Sequence, residues 1–451
     1  MKRFLSSRSL IVAMLSLVCV SASQGQSPEQ IAFNAARACE ANDYDCRITN
    51  LTRGIEINAA VPEAYVNRGY AYLRKGMFDL AVADFTKAIE LKPDLIQAYG
   101  GRASIYARQN KLDLALLDLN KIIQLAPQNA NAHNDRGFLY RRMGKNELAL
   151  ADLDRAIQLY GDVPQAYIAY YNRGMLRCSQ GCSDIALMDY NKAIELNPQY
   201  AEAYAGRANA YDNKHLLALA FADYNKAIQL KPDFATAFNG RGWIYHQQRS
   251  LDLAIADYTT AIRLDPKYAA AYCNRGIAFA EVNEFDRAIA DDTKALELDP
   301  DINDEIYRSR ALAYFFKNDQ QNAVRDTVAY LRRSGIKGEA APYGIMIGYL
   351  ALRKSGDADT ADAFVKDWLK LLKPDAWSTE VLKFFAGKLT ADELLAMAND
   401  NDKLTEAHAY IGEVLLAEND KAKAMEHFIW VRNYGNRDFV EYQLALKELR
   451  Q

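Results

Sequence analysis

The chain has 451 residues, of which half are hydrophobic and a quarter are charged, and its formal net charge is -3. This composition is that of a folded protein and excludes extensive disorder. The mildly acidic balance gives no reason to expect nucleic acid as a partner, because nucleic acid is bound by basic surfaces. The length exceeds what one compact core usually serves, so several domains or a solenoid are expected.

Residues 1–22 predict a signal peptide. Three basic residues precede an apolar run from Leu10 to Val20, small residues follow, and cleavage after Ala22 fits. No later apolar run is long enough to span a bilayer, so the mature chain is expected to lack a transmembrane segment. We expect export, to the bacterial periplasm. Lipid anchoring through Cys19 and secretion are the alternatives, although the bulky residues before Cys19 fit a lipoprotein cleavage site poorly.

The stretch from Glu63 to Pro93 predicts two amphipathic helices joined at Lys75-Gly76, and altered copies of it follow along the chain. Apolar and small residues at helical spacing give each helix one face to bury. The proline ends the second helix because it lacks the N–H that a continuing helix needs. The stripes are Tyr65, Gly69 and Tyr72 in the first helix, and Ala81, Phe85, Ala88 and Ile89 in the second.

Prolines mark the period of this pattern. They stand at positions 93, 127, 164, 198, 232, 266 and 300, which are 34 residues apart except for one step of 37. One helix pair cannot bury both of its faces, so neighbouring copies must stack. The predicted organisation is a degenerate N-terminal capping repeat at 28–61, seven regular repeats at 62–302, a degenerate repeat at 303–336, and worn repeats with capping helices at 337–451, including a pair at 405–438.

A helix-turn-helix period of 34 residues with this pattern of glycine, tyrosine, alanine, phenylalanine and proline resembles the tetratricopeptide repeat (TPR) family. The resemblance implies an all-α fold. It also implies a right-handed superhelical solenoid whose inner groove is lined by the first helix of each repeat. The last helices of the chain would cap the stack.

The family resemblance also implies which first-helix residues face the groove. Aromatic, arginine and asparagine side chains at those positions suit capture of a peptide, since they combine rigid contact area with groups that pair with a backbone. The alternative is that the aromatic residues only pack laterally. The predicted peptide-binding residues are Tyr70, Arg74, Asn134, Phe138, Arg141, Tyr171, Asn209, Asn239, Trp243 and His246.

Four cysteines predict two disulfides. Cys39 and Cys178 occupy the same place near the end of a first helix, and Cys46 and Cys182 follow shortly after. Given export to an oxidising compartment, we predict the bridges Cys39–Cys46 and Cys178–Cys182. The alternative is that these are small packed residues. Cys273 is left alone.

An arginine is followed sixteen residues later by an aspartate in eight successive repeats, beginning with Arg68 and Asp84. Such pairs can recognise an anion, but a catalytic site needs one constellation rather than eight copies. We therefore predict a structural ladder. The five histidines have no metal-ligand spacing, and the chain has neither a glycine-rich phosphate loop nor a nucleophile elbow. Neither a metal nor a cofactor is predicted.

The last 110 residues or so carry a second resemblance. The run FFAGKLTADELLAMA and the later RDFVEYQLALKEL are similar in order and spacing to NlpI-type bacterial envelope proteins. Phe439-Val440-Glu441 with Ala445-Leu446 is the most specific piece. Proteins of that type are adaptors that hold cell-wall hydrolases and a protease together, so the resemblance implies envelope hydrolases or proteases as partners.

Together these features predict an exported, non-enzymatic scaffold that captures protein or peptide partners in its groove. An enzyme with an unrecognised active site in 337–451 is one alternative, and a self-assembling structural solenoid is another. Neither the partner nor the oligomeric state follows from the sequence.

Overall fold

A computed structural model describes residues 27–335, 340–372 and 376–450. The predicted signal peptide and Cys19 lie outside the described residues. Across the described ranges the regular structure is helical, and consecutive helices pack in pairs, which confirms the predicted all-α repeat fold. The chain divides into two compact units, Met1–Leu216 and Leu217–Gln451, called here the N-terminal unit and the C-terminal unit.

The N-terminal unit is built from helix pairs, and a 3₁₀ turn at Pro164–Ala166 lies at the end of the one 37-residue step between prolines. Its helices are α1 (Pro28–Ala38), α2 (Tyr44–Ile57), α3 (Pro62–Arg74), α4 (Phe78–Leu91), α5 (Ile96–Arg108), α6 (Leu112–Leu125), α7 (Ala130–Arg142), α8 (Asn146–Tyr160), α9 (Tyr167–Ser179), α10 (Ser183–Leu196) and α11 (Ala201–Asp212).

The C-terminal unit continues the helix pairs and ends in shorter helices. Its helices are α12 (Leu217–Leu230), α13 (Ala235–Gln247), α14 (Leu251–Leu264), α15 (Ala269–Glu281), α16 (Phe285–Leu298), α17 (Glu305–Phe316), α18 (Gln320–Ser334), α19 (Ala341–Lys354), α20 (Ala358–Leu369), α21 (Trp377–Phe385), α22 (Ala391–Met397), α23 (Asn401–Ala417), α24 (Lys421–Tyr434) and α25 (Val440–Glu448).

In several repeats a ring from the second helix packs into gaps left by glycines on the first helices beside it. Phe85 of α4 is fully buried. A Cβ atom added at Gly69 in α3 would lie 2.9 Å from this ring, and one added at Gly101 in α5 would lie 2.3 Å from it. These distances are shorter than carbon atoms tolerate, so only glycine lets α4 approach both first helices. Tyr190 makes the same kind of contact further along the unit.

Replacing Gly101 with alanine should lower the free energy of unfolding by ~1–3 kcal/mol, because the new methyl group overpacks the buried Phe85 ring. Gly100, its neighbour on α5, is the matched control. A Cβ atom there meets only Ile122, at 3.8 Å. Gly100→Ala should therefore keep or raise stability by up to about 1 kcal/mol through helix propensity. Equal denaturant midpoints for the two variants would contradict the packing.

The arginine and aspartate pairs form a structural ladder. Arg68 donates from Nε and Nη2 to the two carboxylate oxygens of Asp84 in α4, at 2.8 and 2.7 Å. Its Nη1 also donates to Thr52 Oγ1 in α2, at 3.1 Å. One arginine thus joins two consecutive second helices. The same bonding to the aspartate and to the preceding second helix recurs at Arg102, Arg136, Arg173, Arg241, Arg275 and Arg310.

A buried carboxyl group replaces the usual ring in one repeat of the C-terminal unit. Asp292 of α16 stands where Tyr258 stands one repeat earlier, and it is fully buried. Its Oδ1 lies 2.4 Å from where a Cβ atom of Gly276 would be. Burial raises the pKa of Asp292 to about 8, although Ser309 and Arg310 act in the opposite direction. The neutral acid is therefore the form that this core accepts.

This pKa predicts that the C-terminal unit loses stability as the pH rises. Asp292 binds its proton more tightly in the folded state than in the unfolded state, in which its pKa is about 3.9. Its contribution is complete below about pH 4 and is lost as the pH rises toward 8, with a slope of up to about 1.4 kcal/mol per unit. Asp292→Asn should flatten the dependence of the denaturant midpoint on pH between 5 and 8.

The Asp292→Asn variant should keep part of the pH dependence of stability, because other buried acids contribute to it. Burial also raises the pKa of Glu406 to about 8. Asp286→Asn is the control, because Asp286 is exposed and pairs with Lys317 at 2.9 Å. An unchanged slope in Asp292→Asn would show that Asp292 does not carry the predicted dependence.

The C-terminal helices depart from the simple stack. Helix α22 is capped by Thr390: its hydroxyl accepts from the Glu393 backbone N–H at 3.2 Å, and the Glu393 side chain accepts from the Thr390 N–H at 2.8 Å. The helix before it, α21, begins at Trp377 and ends at Phe385.

The last helix, α25, does more than close the stack. Lys447 donates to Asn318 Oδ1 at 2.8 Å, across 129 residues of sequence. Leu444 is buried in the same apolar cluster as Phe315 of α17 and Leu350 of α19. Helix α25 is therefore packed against first helices of the C-terminal unit as well as against α23 and α24.

Candidate binding surface

A cavity of about 820 Å³ in the N-terminal unit is lined by α1, α2 and α3. It contains two of the predicted groove residues, Tyr70 and Arg74. The lining residues are Phe33, Ala36, Arg37, Ala41, Tyr44, Arg47, Leu51, Val61, Glu63, Ala64, Asn67, Tyr70, Ala71 and Arg74.

Tyr70 is held rigidly at the edge of this cavity. Its hydroxyl donates to the Gln97 carbonyl at 3.0 Å, and its ring meets Phe85 edge to face with the centroids 5.1 Å apart. The side chain stays 39% exposed. Burial of the remainder raises the pKa of its hydroxyl, so Tyr70 presents a neutral ring and hydroxyl to a ligand. Such a fixed, half-exposed ring is an efficient contact for a partner.

A second cavity of about 220 Å³ opens between α5 and α7. Phe138 lines it together with Gly100, Ser104 and Leu139. The Arg141 guanidinium lies over the Phe138 ring, with its central carbon 5.3 Å from the centroid. The structure thus brings these two predicted residues together, and the stacked pair presents both apolar area and a positive charge.

Tyr171 of α9 belongs to a cluster of rings. Its centroid lies 5.1 Å from Tyr200 and 6.1 Å from Tyr190. Burial raises the pKa of Tyr171 to about 12, Glu202 acts in the same direction and Arg141 opposes it. Arg141 is therefore close enough to act electrostatically on the next repeat.

Two predicted asparagines have an internal role that sequence reasoning missed. Asn134 is only 5% exposed: it accepts from Asn172 at 2.8 Å and donates to Asp135 at 3.1 Å. Asn239 likewise accepts from Asn274, at 3.0 Å. These amides join consecutive first helices. The signal was an asparagine at the fifth position of a repeat followed by one at the sixth position of the next.

Burial argues against a peptide contact for Asn134, while Asn209 is exposed on α11.

Trp243 and His246 form a pair on α13 in the C-terminal unit. Their rings are stacked with the centroids 5.3 Å apart, and Trp243 is 37% exposed. His246 Nε2 lies 3.0 Å from Glu281 Oε1, and Arg249 also pairs with Glu281 at 2.8 Å. Burial alone would raise the pKa of Glu281, but His246 and Arg249 together lower it.

A cavity of about 500 Å³ in the C-terminal unit is partly walled by the end of the chain. Glu281 and Phe316 line it from the repeats, and Arg437, Phe439 and Gln443 line it from the last segment. The repeat period gave no signal for this wall, because the contact joins residues far apart in sequence.

One of the two predicted disulfides is present in the structure. Cys39 and Cys46 form a disulfide, as predicted. The predicted Cys178–Cys182 bridge was wrong, because both thiols are free. Asn213 donates to Cys178 Sγ at 3.4 Å, whereas Cys182 Sγ is directed to the Gln180 carbonyl at 3.9 Å. The two sulfur atoms thus have separate partners.

Among the described side chains, no group of three or more histidine, cysteine, aspartate or glutamate residues is arranged to hold a metal ion. In the same part of the chain, no helix is long and apolar enough to cross a membrane.

Matches to the tetratricopeptide repeat family cover residues 62–95, 103–169, 167–200, 201–234 and 269–302, and a further TPR repeat match covers 242–283. Together they span about half of the chain. The chain belongs to the tetratricopeptide repeat family. No curated protein matches it significantly.

Several solved structures are similar to this TPR protein. PilF of Pseudomonas aeruginosa is 21% identical with a TM-score of 0.41, and the match covers 48% of this chain and 96% of that one. A tetratricopeptide repeat protein from Parabacteroides merdae is 23% identical with a TM-score of 0.46, covering 56% and 98%. YrrB, described as a TPR protein with an unusual peptide-binding site, is 25% identical with a TM-score of 0.33, covering 42% and 95%.

The family assignment supports a protein-interaction scaffold, since TPR arrays bind protein or peptide partners. The family matches end at residue 302, so the likeness of the tail to NlpI-type proteins stays a prediction.

Proposed function

We propose that this TPR protein is a non-enzymatic adaptor that captures an extended segment of a partner protein on the first helices of its N-terminal unit. One observation carries the proposal: two cavities in this unit open against first helices, and predicted binding residues line each of them. Tyr70 and Arg74 line the larger cavity, and Phe138 lines the smaller.

The chemistry of these residues supports a peptide ligand. The Phe138 ring beneath the Arg141 guanidinium offers apolar area and a cation in one place. Tyr171 adds a ring held by its neighbours, and all three side chains are only half-buried. Aromatic and arginine side chains are enriched in the buried centres of protein interfaces, and tyrosine and arginine are common among the residues whose truncation costs most binding energy.

A location in the bacterial envelope belongs to the same proposal. The predicted signal peptide and the Cys39–Cys46 disulfide are compatible with export. The NlpI-type resemblance of the tail makes cell-wall hydrolases or proteases the expected partners. Asn239, Trp243 and His246 form a second candidate contact on the C-terminal unit, and Asn209 a further one on α11.

Selection of peptides from a displayed random library tests the proposed surface. Peptides selected on the wild-type chain should bind the variant Phe138→Ala/Arg141→Ala/Tyr171→Ala at least about tenfold more weakly, because truncation of an interface anchor commonly costs that much or more. Titration calorimetry measures the affinities. Arg141→Gln alone, which removes one charge and leaves the Phe138 and Tyr171 rings, should give a smaller loss in the same direction.

The control replaces exposed apolar residues of second helices, Leu117, Leu148 and Met188, with alanine. This variant should bind the selected peptides like the wild type. Equal binding by the wild type and both groove variants, or a loss confined to the second-helix variant, would overturn the proposed surface.

A further inference from the structure

Three arginine side chains line the 820 Å³ cavity of the N-terminal unit. Arg37 of α1, Arg47 of α2 and Arg74 of α3 all line it. None of the three forms an ion pair with another described residue, whereas the ladder arginines such as Arg68 are bound to aspartates. Three guanidinium groups therefore share one concave site without a carboxylate of their own.

The lining of this cavity offers the arginines no unpaired carboxylate. Glu63 is the one carboxylate in the lining, and it accepts from Lys92 at 3.3 Å. Asp45 forms an ion pair with Lys75. Neither carboxylate neutralises the arginines, so the cavity keeps an excess of positive charge although the whole chain is slightly acidic.

We infer that this cavity is a binding site for an acidic peptide segment, whose carboxylates would pair with Arg37, Arg47 and Arg74. Arginine suits this ligand because its planar donors match a carboxylate. Tyr44 and Asn67 also line the cavity. They supply an aromatic face and an amide that can contact the stretch of peptide between two acidic residues. The inference rests on the proposed function and gives the chemistry of the captured segment.

The remaining lining favours a peptide over a dense polyanion. Glu63 places a carboxylate inside the cavity, where it would repel a ligand carrying charge at every unit. Phe33, Leu51 and Val61 supply apolar walls that a sulfated sugar or a phosphate backbone would not use. A segment that alternates acidic side chains with uncharged or apolar ones satisfies both features.

The Cys39–Cys46 disulfide shapes one wall of this site. It closes the turn between α1 and α2, and the residues inside that turn include Ala41 and Tyr44 of the lining. Asn50 of α2 donates to Cys39 Sγ at 3.6 Å and so ties the end of α1 to α2. Acidic-peptide binding should therefore depend on this disulfide.

Fluorescence anisotropy of the full chain with a fluorescein-labelled peptide of alternating glutamate and serine tests the inference. The matched probe carries glutamine in place of glutamate. Arg37→Gln/Arg47→Gln/Arg74→Gln should bind the acidic peptide at least about tenfold more weakly than the wild type, since one charge-assisted hydrogen bond contributes roughly that much. The control Arg155→Gln/Arg263→Gln/Arg432→Gln removes equal charge from second helices and should bind like the wild type.

The disulfide has its own matched control. Cys39→Ser/Cys46→Ser should weaken binding several-fold, whereas Cys178→Ser/Cys182→Ser, which alters free thiols, should not.

Three results would overturn the inference: no preference for glutamate over glutamine, equal losses in the two arginine variants, or tighter binding of heparin or a single-stranded oligonucleotide to the same arginines. If one of these results is obtained but the library peptides still require Phe138, Arg141 and Tyr171 for binding, only the inference of an acidic ligand fails and the proposed function stands. If the library peptides bind without these three residues, the proposed function fails as well, and the two failures are told apart by the two sets of variants.

Discussion

The close contact between a second-helix ring and the glycines of its neighbouring first helices sets the geometry of the repeats. Phe85 reaches both Gly69 and Gly101, so one side chain fixes the spacing within a helix pair and between pairs. The arginine ladder then fixes the register, because each arginine bonds to the aspartate of its own repeat and to a polar residue of the preceding one. Together these contacts hold the first helices in a regular row, and binding side chains on that row inherit its spacing.

This framework explains which surfaces are available for binding. The second helices are tied to each other by the arginines, whereas the first helices present Tyr70 and Phe138 in open cavities and leave Tyr171 half-buried. The N-terminal cavity adds arginines that the ladder does not use. A row of aromatic contacts that ends in a positively charged cavity would bind a peptide segment in one orientation. The acidic part of the segment would lie at α1 to α3.

The sequence was sufficient for the fold because the repeat period makes each contact recur. The Gly69 and Phe85 pattern and the Arg68 and Asp84 spacing predicted packing and ladder. Position in the repeat was a weaker guide to the binding surface: Asn134 satisfies the groove position but is buried by its bond to Asn172. Cys178 and Cys182 matched the place of Cys39 and Cys46, yet their sulfur atoms have separate partners. The contacts of helix α25 and the grouping of Arg37 and Arg47 with Arg74 lie outside the repeat period, so no repeating pattern predicted them.

Site-specific photocrosslinking tests the central claim most directly. A photoreactive phenylalanine analogue would replace Phe138 on the first helix α7 or, as the control, the 64% exposed Leu117 on the second helix α6. Crosslinking is carried out in cells and the products are identified by mass spectrometry. The account predicts that one partner crosslinks to an extended segment from position 138 and not from position 117. Crosslinks to that partner from position 117 alone, or equally from both, would contradict it.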